Sequence, residues 1–307
     1  MLNRVFHSEF TPFYGKVFEE KKIDNYTFLI DFFEGMHKVV RRHYRQTPQI
    51  AIILLMISLS SCSQNQNNDW ESIFAKHHIR GTFVLKDLTD NKVKMYSSAR
   101  SDSAYLPAST FKILNSLIAL QTSVINTIHD TIQWDGIDKG WEPWNKDQNM
   151  ETAMPISCVW FYQELARRIG RERMQNWLEK VEYGNTKLGK EIDTFWLEGD
   201  LRISAIEQIE FLERLINSTL PFDPKIQEIV KRIMITDSTN EYIIHSKTGW
   251  TSNIGWDVGY IETKNRRLVF AMNMDIFQKQ NAKYRKQITY EILQTEQIIP
   301  ASWKPKP

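Results

Sequence analysis

Two runs rich in β-formers, 81–88 and 92–96, flank the polar Thr89-Asp90-Asn91, a pattern that predicts a β-hairpin. Beyond Ser109 the apolar spacing lengthens to three and four, through Ile113, Leu114, Leu117 and Ile118 toward Leu120, the period of one helical face. The same period over 161–181, carried by Leu165, Ile169, Met174, Trp177 and Leu178, predicts a second, longer helix. Ser204 is placed to cap a helix over 205–217, with Glu207 three residues on to complete a capping box. Three runs, 241–247, 256–262 and 267–274, read as strands whose short connections suit antiparallel pairing. An amphipathic helix over 284–297 closes the chain. Strands toward both ends with helices between them predict an α+β fold, with a mixed lobe made from both ends and an all-helical insertion. No internal repeat is visible.

The first sixty residues follow a different pattern. The run IAIILLMISL over 50–59 is about half the length of a membrane-spanning helix. A basic stretch over 37–45 precedes it and Leu59-Ser60-Ser61-Cys62 follows, the order of parts in a secretory signal. Leu-Ser-Ser-Cys also resembles the bacterial lipobox, in which the cysteine is acylated and becomes the new N-terminus. The expectation is therefore export, with a lipid on Cys62 holding the protein to the periplasmic face of a bacterial membrane, the outer membrane being favoured. The alternative is a plain signal peptide that leaves Cys62 an unmodified thiol. Residues 1–35 do not fit a signal, so Met36 is expected to be the true start; a real cytoplasmic extension is the rival reading. Residues 1–61 are thus read as over-long start plus signal, 62–70 as a polar tether and 71–307 as the catalytic domain.

Composition narrows the function. Of 39 basic and 37 acidic residues, eight and six lie in 1–61, leaving 31 of each sign beyond it. The slight basicity thus belongs to the leader, and no nucleic-acid partner is expected. Ten Trp and sixteen Phe suit a packed core with aromatic-lined clefts.

The candidate chemistry begins with Ser109-Thr110-Phe111-Lys112, an S-x-x-K at a predicted helix N-terminus. Residues three apart share a helical face, so the hydroxyl and amine can meet. A serine hydroxyl needs a neighbouring base to take its proton, and a lysine serves only if burial disfavours its ammonium. Alone, this tetrad is commonplace. It is joined by Lys247-Thr248-Gly249 on a predicted exposed-edge strand, offering a cation, a hydroxyl and a glycine that lets a ligand backbone lie close. Between them stands Ser157-Cys158-Val159, whose serine can relay protons to a leaving nitrogen. Three such elements in this order are far more specific than any one.

Pro107-Ala-Ser-Thr-Phe-Lys112, Ser157-Cys-Val159, Tyr183-Gly-Asn185 and Lys247-Thr-Gly249 resemble the four motifs of class D, oxacillin-hydrolysing serine β-lactamases. The stretches 195–204 and 270–275 resemble the same family, and the likeness covers about residues 70–303. It implies the penicillin-recognising serine transferase fold and hydrolysis of β-lactam antibiotics. By the same resemblance Ser109 is acylated, Lys112 is carboxylated by carbon dioxide and acts as general base, and Ser157 relays protons. Trp196 would hold the carbamate through its indole N–H, with Phe111 and Val159 keeping Lys112 neutral. Lys247, Thr248 and Arg285 would receive the substrate carboxylate, and the backbone N–H groups of Ser109 and Trp250 would form the oxyanion hole. No metal or further cofactor is expected. Tyr183 and Asn185 read as turn residues, Cys158 as an inert buried thiol, and Trp196 and Arg285 have the plain alternatives of core and surface pair. Glu182-Tyr-Gly-Asn185 also spells E-x-x-N, which offers Glu182 as a different base.

One departure stands out. Only residues 250–254 separate Gly249 from Gly255-Trp256, where many family members carry a longer loop, which leaves carbapenem turnover open. Two rivals share the serine, the lysine and the K-T-G. A penicillin-binding transpeptidase or carboxypeptidase would hydrolyse its acyl-enzyme slowly, and a β-lactam sensor would signal through membrane helices. Val159 and Trp196 favour the lactamase over the first, and the short apolar run over 50–59 disfavours the second.

Overall fold

The computed structural model describes residues 68–302. Helix α1 (Asn68–Lys76) leads into strands β1 (Gly81–Asp87) and β2 (Lys92–Tyr96) and the short helix α2 (Ser98–Asp102). A 3-10 turn over Ala108–Phe111 runs directly into α3 (Lys112–Gln121). The helical insertion continues with α4 (Met150–Ala153), α5 (Val159–Ile169), α6 (Arg171–Val181), α7 (Ala205–Ile216) and α8 (Pro224–Ile233). Strands β3 (Ile235–Ser238), β4 (Tyr242–Thr251), β5 (Ile254–Thr263) and β6 (Arg267–Asp275) follow, and α9 (Tyr284–Thr295) ends the fold.

The six strands form one antiparallel sheet in the order β2-β1-β6-β5-β4-β3, so the expected hairpin and the expected three-strand meander meet where β1 pairs with β6. Alternation along the strands builds two cores. Trp256, Val258 and Tyr260 of β5, with Val269 and Ala271 of β6, enter the larger core shared with the insertion. Phe270, Met272 and Met274 point the other way, onto Trp70 and Phe74 of α1 and Ile288 and Ile292 of α9. An α+β sheet flanked by helices, with a helical insertion, is thus what the chain forms.

Three expectations are corrected. The tether expected over 62–70 gives way to α1 from Asn68, because Trp70 is buried and its indole N–H donates to Glu296 at 3.0 Å. The single helix expected over 161–181 is two, α5 and α6, starting at Val159. Gly170 (φ +81°, ψ 157°) breaks it in a conformation that other residues avoid. Arg173 covers the carbonyls left open there, donating to Ile169 at 2.6 Å and Arg168 at 2.7 Å. The expected edge strand is also modified, since β4 has β3 beside it. Pairing with β3 stops at His245, however, so the edge is open from Lys247 onward. The capping box forms in full: the Glu207 N–H donates to Ser204 Oγ at 3.1 Å and the Ser204 N–H to Glu207 Oε2 at 2.6 Å. Cys62 and the leader lie outside the described residues.

Candidate active site

The site is assembled on the turn between β2 and α3. Ala108 has φ +50°, a left-handed value strained for a residue with a Cβ, and its N–H donates to the Trp196 carbonyl at 2.9 Å. Thr110 then closes the turn by donating its hydroxyl to the Pro107 carbonyl at 2.7 Å. Ser109 therefore sits on a 3-10 turn rather than in the first turn of an α-helix, and residues three apart eclipse in that geometry. The result is a hydrogen bond of 2.7 Å from Lys112 Nζ to Ser109 Oγ.

Lys112 has no exposed surface, and burial pulls its amine down from 10.5 to about 7. Near neutral pH a large share of it is the free base. The amine lies 5.3 Å from the Tyr162 ring centroid, and Phe111, the residue before Lys112, stacks on Trp196 (centroids 5.4 Å apart). Tyr162, a neighbour that the sequence did not single out, is held by its hydroxyl contact with Ser116 at 3.1 Å. The Trp196 indole N–H is buried with no hydrogen-bond partner among the described residues. Ordinary core is thus an incomplete account of Trp196, since an unpaired buried donor costs about 1–3 kcal/mol.

Ser157 occupies a left-handed position (φ 56°) directly before α5, whose first residue is Val159. Cys158 between them is buried and in no disulfide among the described residues, and burial pushes its thiol up to about 11, away from the reactive thiolate.

Opposite the turn, β4 carries Lys247-Thr248-Gly249. Gly249, expected to let a ligand backbone lie close, also faces this chain's own turn. A Cβ there would come 3.0 Å from the Pro107 carbonyl oxygen and 3.3 Å from the Ala108 Cβ, so glycine lets β4 press against the nucleophile's turn. Lys247 is buried and donates to the Thr248 carbonyl at 2.9 Å. Burial, then the nearby Lys112, Arg285 and Lys286 charges, hold its ammonium well below the usual lysine range. Arg285 donates to the Gly249 carbonyl at 2.8 Å and to Ala282 at 2.7 Å, and its guanidinium lies 5.9 Å from the Trp250 ring centroid. The surface-pair alternative for Arg285 is thereby replaced by a place beside the K-T-G. Lys247, Thr248 and Lys286 line one cavity of about 220 Å³ at the open edge of β4. Another cleft, about 630 Å³ between Thr131–Lys139 and Trp160–Arg168, lies elsewhere, and Lys139, Arg167 and Arg168 in it are ion-paired.

The remaining motif residues are structural. Tyr183 is buried, and its hydroxyl meets Gln208 Nε2, which donates to Thr110 Oγ1 at 2.9 Å and so braces the catalytic turn. Asn185 clamps the neighbouring loop by donating to the Asp200 carbonyl and accepting from the Arg202 N–H, both at 2.9 Å. Glu182 is exposed at the end of α6, 3.8 Å from Arg214, and is not presented to the serine. The short connection after the K-T-G is a tight hairpin, with Ser252 at φ 43° between β4 and β5.

Known proteins share this arrangement. Residues 55–294 match the family model described as penicillin binding protein transpeptidase domain. β-Lactamase OXA-48 of Klebsiella pneumoniae is 42% identical over 241 residues, 76% of this chain and 90% of that protein. β-Lactamase OXA-10 of Pseudomonas aeruginosa is 37% identical, over 81% of this chain and 97% of that one. Among solved structures, the class D β-lactamase OXA-85 of Fusobacterium nucleatum superposes with a TM-score of 0.75 at 40% identity, covering 76% of this chain and all of its own. The class D enzyme YbxI from Nostoc gives a TM-score of 0.74 at 41% identity, with 75% and 99% covered. With its serine and buried lysine facing a K-T-G strand, this chain belongs to the class D serine β-lactamases.

Proposed function

We propose that this enzyme opens β-lactam rings through an acyl-enzyme on Ser109, with Lys112 as the base. The observation that carries the assignment is the fully buried Lys112 amine, 2.7 Å from Ser109 Oγ and pulled down to about 7. Lys112 takes the hydroxyl proton as Ser109 Oγ attacks the lactam carbonyl. The backbone N–H groups of Ser109 and Trp250 receive the developing oxyanion. The carbon–nitrogen bond then breaks as Ser157 passes its hydroxyl proton to the leaving nitrogen and takes the proton held on Lys112 in its place. Lys247, Thr248 and Arg285 hold the substrate carboxylate. Lys112, neutral again, takes a proton from a water as that water attacks the ester, and returns it to Ser109 Oγ as the ring-opened acid leaves.

The residues also fit a carbon dioxide-derived carbamate on Lys112. Only a neutral amine takes up carbon dioxide, and the unpartnered Trp196 indole N–H is a donor of the right kind. Such a group would supply a carboxylate-like oxygen as proton acceptor beside Ser109. Trp196 would hold it through its indole N–H, and the burial of Phe111 and Tyr162 keeps bulk water from that part of the site.

The leader supports a further proposal: acylation of Cys62 and residence on the periplasmic face of a bacterial membrane, the outer membrane for preference. Basic stretch, short apolar run and Leu-Ser-Ser-Cys are its support.

A chromogenic cephalosporin mixed with the purified domain, 62–307, tests the reaction. Sustained turnover far beyond one product per enzyme is expected, and Ser109→Ala should abolish it. A single stoichiometric burst would instead assign the chain to slow acyl-enzymes of the transpeptidase or sensor kind.

A further inference from the structure

Strand β5 lies next to the K-T-G strand, and its pleat sends Trp256, Val258 and Tyr260 into the larger core. Residues 255, 257 and 259 therefore face α9, and two of these three are glycines. The third is Asp257, which sits opposite Thr248 on β4 and Met272 on β6. It is 1% exposed, and Thr289 of α9 is the side chain that hydrogen-bonds to its carboxyl. Across from it, α9 lays the stem of Arg285 along β5: a Cβ on Gly255 would lie 3.0 Å from Arg285 Cδ. Lys286 and Thr289 of the same helix and Lys247 of β4 act on the carboxyl, and Asp257 in turn acts on Tyr290. The Thr289 hydroxyl is shared with the Arg285 carbonyl, 3.0 Å away. A lone acid thus stands behind the same cations that the cleft presents to its substrate.

We propose that Asp257 is a positioning residue for the carboxylate subsite, a buried acid whose charge state sets how strongly Lys247, Arg285 and Lys286 draw the substrate's carboxylate. This rests on the reading of Lys247 and Arg285 as that subsite. Protonated, Asp257 leaves the three cations undiminished. Ionised, it places a second carboxylate among them and competes with the substrate's own. Burial raises Asp257 from 3.8 to about 6, against the pull of Lys286, Arg285 and Lys247, so the exchange falls between mildly acidic and neutral pH. The coupling is reciprocal: a bound carboxylate must raise the Asp257 value further.

The test uses Ser109→Ala enzyme, which cannot be acylated, titrated calorimetrically with oxacillin and with its methyl ester between pH 5 and 7.5. Oxacillin should bind roughly three- to tenfold more weakly at the upper pH, a step of the size that one partly screened charge produces. Adding Asp257→Asn should flatten that step and keep the tighter value throughout, and the ester should show no step in either protein. Parallel profiles with and without Asp257→Asn would overturn the proposal. So would weaker binding in the variant at pH 7.5, which would mean that Asp257 acts only to keep Lys247 charged. Should the variant fold poorly, carbon-13 NMR of Asp257 in the Ser109→Ala enzyme decides the same point: its titration must move upward on binding oxacillin, and an unmoved titration refutes the coupling. An ester that binds as tightly as the acid at pH 5 would instead sink the carboxylate-subsite reading itself.

Discussion

At the scale of the residue, Lys112 decides the chemistry. Its value is lowered from 10.5 to about 7, so an unfolded chain binds this proton over a pH range where the folded one does not. The buried amine therefore costs stability most below pH 7, and this cost disappears as pH rises toward 10.5. Activity follows the neutral form: kcat should fall about tenfold per pH unit well below 7, and added bicarbonate should restore part of it. Lys112→Ala should lose acylation and deacylation together. Trp196→Ala should retain some acylation and stall afterwards, leaving an adduct on Ser109 visible by mass spectrometry. Carbon-13 bicarbonate should yield a carbamate carbonyl resonance in the active enzyme. Full activity without that resonance, at every pH and indifferent to bicarbonate, would refute the mechanism. Glu182, exposed at the end of α6, would then need a large movement to serve as base.

At the scale of the element, the site is a contact between a turn and a strand. Neither the 3-10 turn over Ala108–Phe111 nor β4 holds a complete constellation, and Gly249 sets how closely they approach. Gly249→Ala adds a methyl 3.0–3.3 Å from Pro107, Thr110 and Ala108, neighbours already fixed by the Thr110 and Ala108 hydrogen bonds. Overpacking of this kind costs about 1–3 kcal/mol. The variant should show that loss in urea denaturation and acylate Ser109 at least tenfold more slowly. An unchanged acylation rate would show that the turn tolerates displacement. The break at Gly170 and the brace from Gln208 to Thr110 belong to the same scale: the first is local to two successive helices, and the second ties α7 to the catalytic turn.

At the scale of the whole molecule, both ends of the described chain lock the sheet. Trp70 donates to Glu296, and Lys76 and His77 reach Glu291, so α1 and α9 close one face together. The tether therefore shortens, and the lipid proposed on Cys62 would stand six residues before α1. Cys62→Ser should convert a membrane-associated protein into a soluble or unprocessed one, with kcat of the folded domain unchanged. Fractionation that finds the wild type freely soluble in the periplasm would refute the anchor.

Much of this enzyme was legible without coordinates, because local chemistry carries it. The three-residue spacing of Ser109 and Lys112, the Ser204–Glu207 cap and the strand meander depend on backbone periods that sequence displays directly. The family resemblance then located Trp196 and Arg285, which no spacing could join to Ser109. Tertiary structure decided what depends on surroundings. Lys112 becomes a candidate base only where the fold buries it completely, beside the Tyr162 ring, and the period that marks 161–181 as helical cannot register the break that Gly170 makes. Asp257 is one acid in the apolar run 254–261 that the pattern did not single out, and its place beside the K-T-G strand and Arg285 comes from strand register and the packing of α9 on β5. Sequence records which groups are present; electrostatics depends on distance and solvent, and only the folded chain sets those.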